Sequence, residues 1–184
     1  MFRRNRSRGS NDDPLAHVDP AAAPRRFAGA VADAVAARRR FRELVDGLRP
    51  GPVRDRLSGA GSQVDAGMQA VWDTVQRAAE LERILATLDP DRVTDQYKQA
   101  KRSEVAPDVL AAHEARFASV QRLLNALDDT ESQLALLDVR LGGAVARAAE
   151  VALAAGAGAD ELDADLARLV DDLGALRAGL DAVN

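Results

Sequence analysis

The chain has 184 residues, 47% of them hydrophobic and 29% charged, and a net charge of −4, which suits one ordinary domain rather than a disordered segment. Aromatics are only 3%, while Ala (38) and Leu (22), both strong helix formers, fill about a third of the chain, so β-sandwiches and barrels are excluded. With no cysteine and two histidines, disulfides, thiol catalysis and Cys-based zinc sites are excluded too, and no metal or cofactor is expected.

Residues 1–24 open with Met1 to Gly9, a basic stretch carrying Arg3, Arg4, Arg6 and Arg8, and continue through Pro14, Pro20 and Pro24 without periodicity. No apolar run follows the basic residues, so the expectation is a flexible basic arm rather than a secretory leader. From Phe27 the apolar residues recur at steps of four and three: Val31, Ala34, Phe41, Val45, Leu48. That spacing predicts an amphipathic helix over about 25–49, ended by Pro50-Gly51-Pro52. The same spacing from Val53 to Leu88 predicts a helix over 53–88, and Asp89-Pro90 reads as an N-cap and first-turn proline for a short helix over 90–102. After a turn at 103–106, Pro107 opens the longest element, 107–155, which Gly156-Ala-Gly158 stops. Leu162, Leu166, Leu169, Leu173, Leu176 and Leu180 give a final heptad-patterned helix over 160–183.

The fold expected is therefore all-α, with residues 25–184 as a single helical domain. Segments 53–102 and 107–155 have nearly equal lengths and a short connection, which favours an antiparallel helical hairpin, a coiled-coil arm, whose open end the flanking helices close into a four-helix bundle. Pairing about the turn sets residue i opposite 209 minus i: Leu85 opposite Leu124, Leu81 opposite Leu127, Gly67 opposite Gly142. The projecting part, about residues 78–131, would be ~37 Å long at 1.5 Å per residue. Helix 25–49 carries seven Arg and three acids, and helix 160–183 seven acids and two Arg, so the two are expected to lie side by side. Trp72, one position off the seam, is expected to anchor the bundle core.

Chemistry-bearing motifs are sparse. His113-Glu114 begins like a HExxH zinc helix, but Phe117 stands where the second histidine belongs, so His113 is expected to pack in the arm seam and hydrogen-bond Tyr97. Asp89-Pro-Asp91 lacks the rest of a calcium loop, and the two Gly-Ala-Gly pairs follow no strand. No constellation of nucleophile, base and orienter is present, so no enzymatic activity is expected.

Two features remain as contact candidates. Lys98, Lys101 and Arg102 sit at the tip of the hairpin, the first two being the protein's only lysines, and Ile84 and Leu124 widen the apolar stripe of the arm beyond a two-helix seam. They point to an interaction or scaffold protein whose projecting arm engages a protein partner or a second copy in a homodimer. The alternative is a peripheral protein whose Arg3, Arg4, Arg6 and Arg8, with Arg25 and Arg26, meet anionic lipid, each worth ~1 kcal/mol near the surface. The hairpin-plus-flanking-helix layout is similar to that of phage-shock and ESCRT-III-like membrane-remodelling proteins, an analogy of architecture with no shared motif. Nucleic acid is a weaker partner, because the basic arm lacks interleaved aromatics and the body is acidic. No segment is apolar enough to span a bilayer, which places the protein in the cytoplasm or at the inner face of the membrane. The excess of Arg (23) over Lys (2) is that of a GC-rich bacterial genome.

Overall fold

A computed structural model describes residues 13–154 and 157–183. Among the described residues the fold is a helical bundle without strands: α1 (Ala28–Gly47), α2 (Pro52–Leu88), α3 (Pro90–Arg102), α4 (Pro107–Leu153) and α5 (Ala159–Val183), preceded by a single 3-10 turn, Pro20–Ala22. Helix α1 starts three residues after its expected beginning, because the Pro24 carbonyl accepts from Phe27 N (2.8 Å) and Ala28 N (3.0 Å) in a preceding turn. Asp89 joins α2 to α3 in a left-handed conformation (φ 51°), and its carboxylate accepts from Arg92 N at 3.2 Å. Gly158 (φ 82°) supplies a conformation only glycine adopts freely, and its carbonyl accepts from Leu162 N in the first turn of α5.

Helices α2 and α4 are central. Each packs on the other and on both α1 and α5, whereas the backbones of α1 and α5 do not approach each other. One core cluster joins Phe27, Val31, Met68, Val75, Leu141 and Leu173 with the far ends of α2 and α4 at Leu81, Leu85, Val120 and Leu127. A second, built on Phe41, Leu57, Val64, Ala148, Leu162 and Leu166, fills the opposite end. The buried hydroxyls of Thr74 and Thr130 donate to the carbonyls of Ala70 (2.8 Å) and Ala126 (2.6 Å) one turn back, so neither is left unpaired.

The charge layout differs from expectation. The acids of α5 pair with arginines of α2 and α4, not of α1: Arg56–Asp160, Arg140–Asp172, Arg147–Asp165, Arg77–Asp181 (2.8 Å) and, reversed in sign, Asp73–Arg177 (2.9 Å). Arg26, just before α1, is held by Asp128 (2.8 Å) and Glu131 (2.6 Å) of α4, and the bond to Asp128 raises its pKa further. It is thus committed inside the protein and not a free lipid contact. Opposite charge binds each outer helix to the central pair because that is where each one lies.

Two packing expectations are also corrected. Gly67 faces α5, where a Cβ would come within 3.0 Å of Leu169 Cδ2, while Gly142 is exposed; the two glycines do not meet. Trp72 is half-buried at the edge of the core, its ring edge-on to His17 at 6.4 Å. What covers it is the amino-terminal segment. Residues 1–12 of the expected flexible arm lie outside the described residues, but residues 13–24 are docked: Leu15 is buried, and Asp13 accepts two hydrogen bonds from the Arg38 guanidinium at 2.8 and 2.5 Å.

Candidate interaction surface

The end of the molecule formed by α3 and the start of α4 is where the contact candidates gather. Helix α3 packs on α4 and the end of α2 only; neither α1 nor α5 reaches it. Its polar sequence leaves Val93 and Ala100 as its buried residues, one stripe against α4. Tyr97 stacks on Phe117 of α4, ring centroids 4.8 Å apart and planes at 15°, and Gln96 accepts from Arg116 at 3.3 Å. Both contacts lie a few residues beyond the nominal pairing. Helical side chains lean toward the amino terminus of their own helix, which lets rings offset in register meet. Tyr97 is therefore engaged by Phe117, and no hydrogen bond joins it to His113. The imidazole of His113 instead lines a shallow cleft of about 400 Å³ with Asp108, Val109, Ala112 and Arg116.

Lys98, Lys101 and Arg102 are all exposed on the last two turns of α3. Lys101 Nζ lies 5.8 Å from the centroid of the Tyr97 ring, a cation–π contact that directs one ammonium over the stacked pair. Lys101 and Arg102 also occupy the carboxy-terminal turn, where the helix dipole favours cations. Ser103 N donates to Gln99 O at 3.0 Å and closes the helix, and from residue 101 to residue 119 nothing is buried. Val105 and Val109 are exposed in the stretch that follows. These valines were not singled out from sequence, since a lone valine before or after a proline has no periodicity to mark it.

The arm candidates divide. Leu124 is half-buried against the core cluster, whereas Ile84 stands exposed on α2. Arg3, Arg4, Arg6 and Arg8 lie outside the described residues. Among the described residues no group of three or more His, Cys, Asp or Glu is placed to hold a metal ion, and no helix is long and apolar enough to cross a membrane.

A second polar assembly fixes the amino-terminal segment. Arg38, buried on α1, donates from Nε to Asp65 of α2 (2.6 Å) and from its two terminal nitrogens to Asp13, and Arg42 reaches Asp65 at 2.8 Å and Asp13 at 3.5 Å. The Arg38 guanidinium holds the Asp13 carboxyl well below the usual carboxylate range, and Asp13 in turn raises the pKa of Arg38. Two arginines and two aspartates thus clamp a segment carrying Leu15 onto the helices. On α4, burial and then the facing Asp33 of α1 push the Asp138 carboxyl above its ordinary value.

Comparison with known proteins gives no counterpart: no family model matches the sequence, and no curated protein or solved structure matches it.

Proposed function

We propose that this is a non-enzymatic helical interaction or scaffold protein. In this reading α1, α2, α4 and α5 form a four-helix bundle, and a hairpin of α3 with the start of α4 projects from it as an arm that meets a protein partner. The observation that carries the reading is the asymmetry of cover: α3 meets neither outer helix, and its end presents Lys98, Lys101 and Arg102, followed along the chain by the exposed Val105 and Val109. Cations followed by small apolar side chains suit an acidic partner surface with an apolar centre, where the valines are desolvated and the rim charges set orientation and encounter rate. Stacking of Tyr97 on Phe117 stiffens this end, which lowers the ordering cost of binding.

The test compares full-length protein with the Lys98→Ala/Lys101→Ala/Arg102→Ala variant in crosslinking and affinity capture from the native cytosol. Loss of specific partners in the variant is the expected result. Identical partners for both proteins would remove the tip as the contact surface. Co-sedimentation with anionic vesicles, with and without residues 1–26, tests the lipid alternative. Binding that requires those residues at low salt would transfer the assignment to a membrane surface.

A further inference from the structure

Residues 13–24 lie on α1 and α2 as a bound peptide lies on its receptor. Among the described residues, every backbone hydrogen bond of this stretch is local: Ala16 N donates to Asp13 O (3.0 Å), Val18 N to Leu15 O (3.1 Å) and Ala22 N to Asp19 O (3.0 Å). None reaches across to the helices beneath. Side chains alone tie the segment down. Asp13 sits on two arginines, Leu15 is buried in the core cluster, His17 meets Trp72 edge-on, and Val18 and Ala23 are partly buried against the same cluster.

The surface under these anchors is built for such an occupant. Arg38 is only 9% exposed, and its Nε is committed to Asp65 at 2.6 Å. Its two terminal nitrogens form a fork that Asp13 fills, at 2.8 and 2.5 Å. Arg42 adds a second positive charge, 2.8 Å from Asp65 and 3.5 Å from Asp13. Without Asp13 the cradle holds two arginines against one aspartate, with a buried guanidinium left open. A buried charge stripped of its partner is costly, so the vacated fork demands an anion, and its planar geometry suits a carboxylate bound through both oxygens. Beside it, removal of Leu15 would leave an apolar recess in the main core cluster, with Trp72 close by under His17. Arginine and tryptophan around an apolar recess are the composition of binding hot spots.

Docking is separable from folding. Helix α1 starts at Ala28, Phe27 belongs to the core, and Arg26 is pinned by Asp128 and Glu131, so the bundle is complete without residues 13–24. Segments held in this way open locally without unfolding the rest. We infer that the cradle of Arg38, Arg42 and Asp65, with the adjoining Leu15 recess, is a docking site for an acidic-x-leucine segment of a partner protein, and that Asp13-Pro14-Leu15 is its resident competitor. The carboxylate and the leucine are two residues apart, and Leu15 N donates to Asp13 Oδ1 at 3.1 Å, which fixes their spacing. A partner segment with the same two anchors meets the same two demands. The site belongs to α1 and α2, so it stands or falls independently of the tip cations on α3.

The test uses full-length protein and a dye-labelled synthetic peptide spanning residues 13–22. The Asp13→Ala/Leu15→Ala protein, which loses both anchors, should keep its helical circular dichroism signal and show red-shifted Trp72 emission. Fluorescence anisotropy should then show saturable binding of the peptide, with Trp72 emission returning toward that of wild type. Wild type should bind at least about tenfold more weakly, because its own segment leaves the site open in only a small fraction of molecules. Peptides carrying Asp13→Asn or Leu15→Ala should likewise lose about tenfold or more in affinity. The single Asp13→Ala protein, which retains Leu15, should give the same order of affinities at smaller amplitude. A red-shifted variant that binds no peptide up to about 1 mM would mean that the tether alone holds the segment, and would overturn the site. Equal binding by wild type and variant would place the peptide elsewhere, and unchanged Trp72 emission in the variant would show that these anchors do not hold the segment; either result overturns the inference. A wild-type dimer in sedimentation equilibrium that the double variant abolishes would make the occupant the segment of a second copy, and would overturn the separate partner.

Discussion

The clamp on the amino-terminal segment offers a direct test, because the single tryptophan lies beneath it. Asp13→Ala removes two short charge-assisted hydrogen bonds to Arg38, a longer one to Arg42, and the bond from Leu15 N to Asp13 Oδ1 at 3.1 Å. Hydrogen bonds to charged groups contribute about 1.5–3 kcal/mol net. The Asp13 side chain keeps 29% of its surface in water, which places the loss toward the low end, about 2 kcal/mol. Arg38 stays paired with Asp65, so the variant should fold, with the undocked population of residues 13–24 raised about 30-fold. Undocking uncovers Trp72, whose present neighbour is His17. Its emission should shift to the red, acrylamide quenching should increase, and trypsin should cut faster at Arg25. Leu15→Ala serves as a positive control, since burial of that leucine is an independent part of the clamp. If Leu15→Ala changes all three signals and Asp13→Ala changes none, the ion pairs hold nothing and the clamp is apolar.

The acid dependence follows from the direction of the Asp13 shift. Its carboxyl is more acidic in the folded protein, so its contribution is complete above the ordinary carboxylate pKa of about 3.9 and disappears as pH falls through the lower folded value. The difference in stability between wild type and Asp13→Ala should therefore be constant from pH 7 to about 5 and shrink only below about 4. A difference that vanishes near neutrality would assign the effect to another group.

The helices were legible because α1, α2, α4 and α5 each carry a sustained apolar series and because Pro52, Pro90 and Pro107 open three of the five. The docking of residues 13–24 was not, since it depends on one leucine and one aspartate rather than on a repeat. Leu15 has no periodic companion, and Asp13 gains significance only when folding brings Arg38 and Asp65 to it. Trp72 was misplaced for the same reason: its cover comes from a segment without pattern. The pairing of charged helices failed differently. The sign of a helix does not say which neighbour it meets, and the arginines of α2 and α4 lie nearer to α5 than those of α1. The tip lysines were legible as exposed cations.

Two further substitutions probe the contacts that hold the outer helices. Asp138 titrates higher than an ordinary carboxylate because burial and Asp33 disfavour its charge, so its ionised form costs stability above that value and the cost is relieved as pH falls through it. Asp138→Asn should accordingly raise the unfolding midpoint at pH 7 and leave it unchanged near pH 3; a lower midpoint at pH 7 would mean that attraction to Arg40 outweighs both effects. Gly67→Val tests the closest approach of α2 to α5. Even a Cβ there would stand 3.0 Å from Leu169 Cδ2, and Leu169 is itself held in the core, so the branched side chain has to push α5 outward. Overpacking of this kind costs about 1–3 kcal/mol, more than the gain in helix propensity returns, since that gain is below about 1 kcal/mol. Chemical denaturation should show the midpoint falling with the slope unchanged. A midpoint that stays or rises would show that Leu169 yields freely and that the small residue at 67 is not what sets the spacing of these two helices.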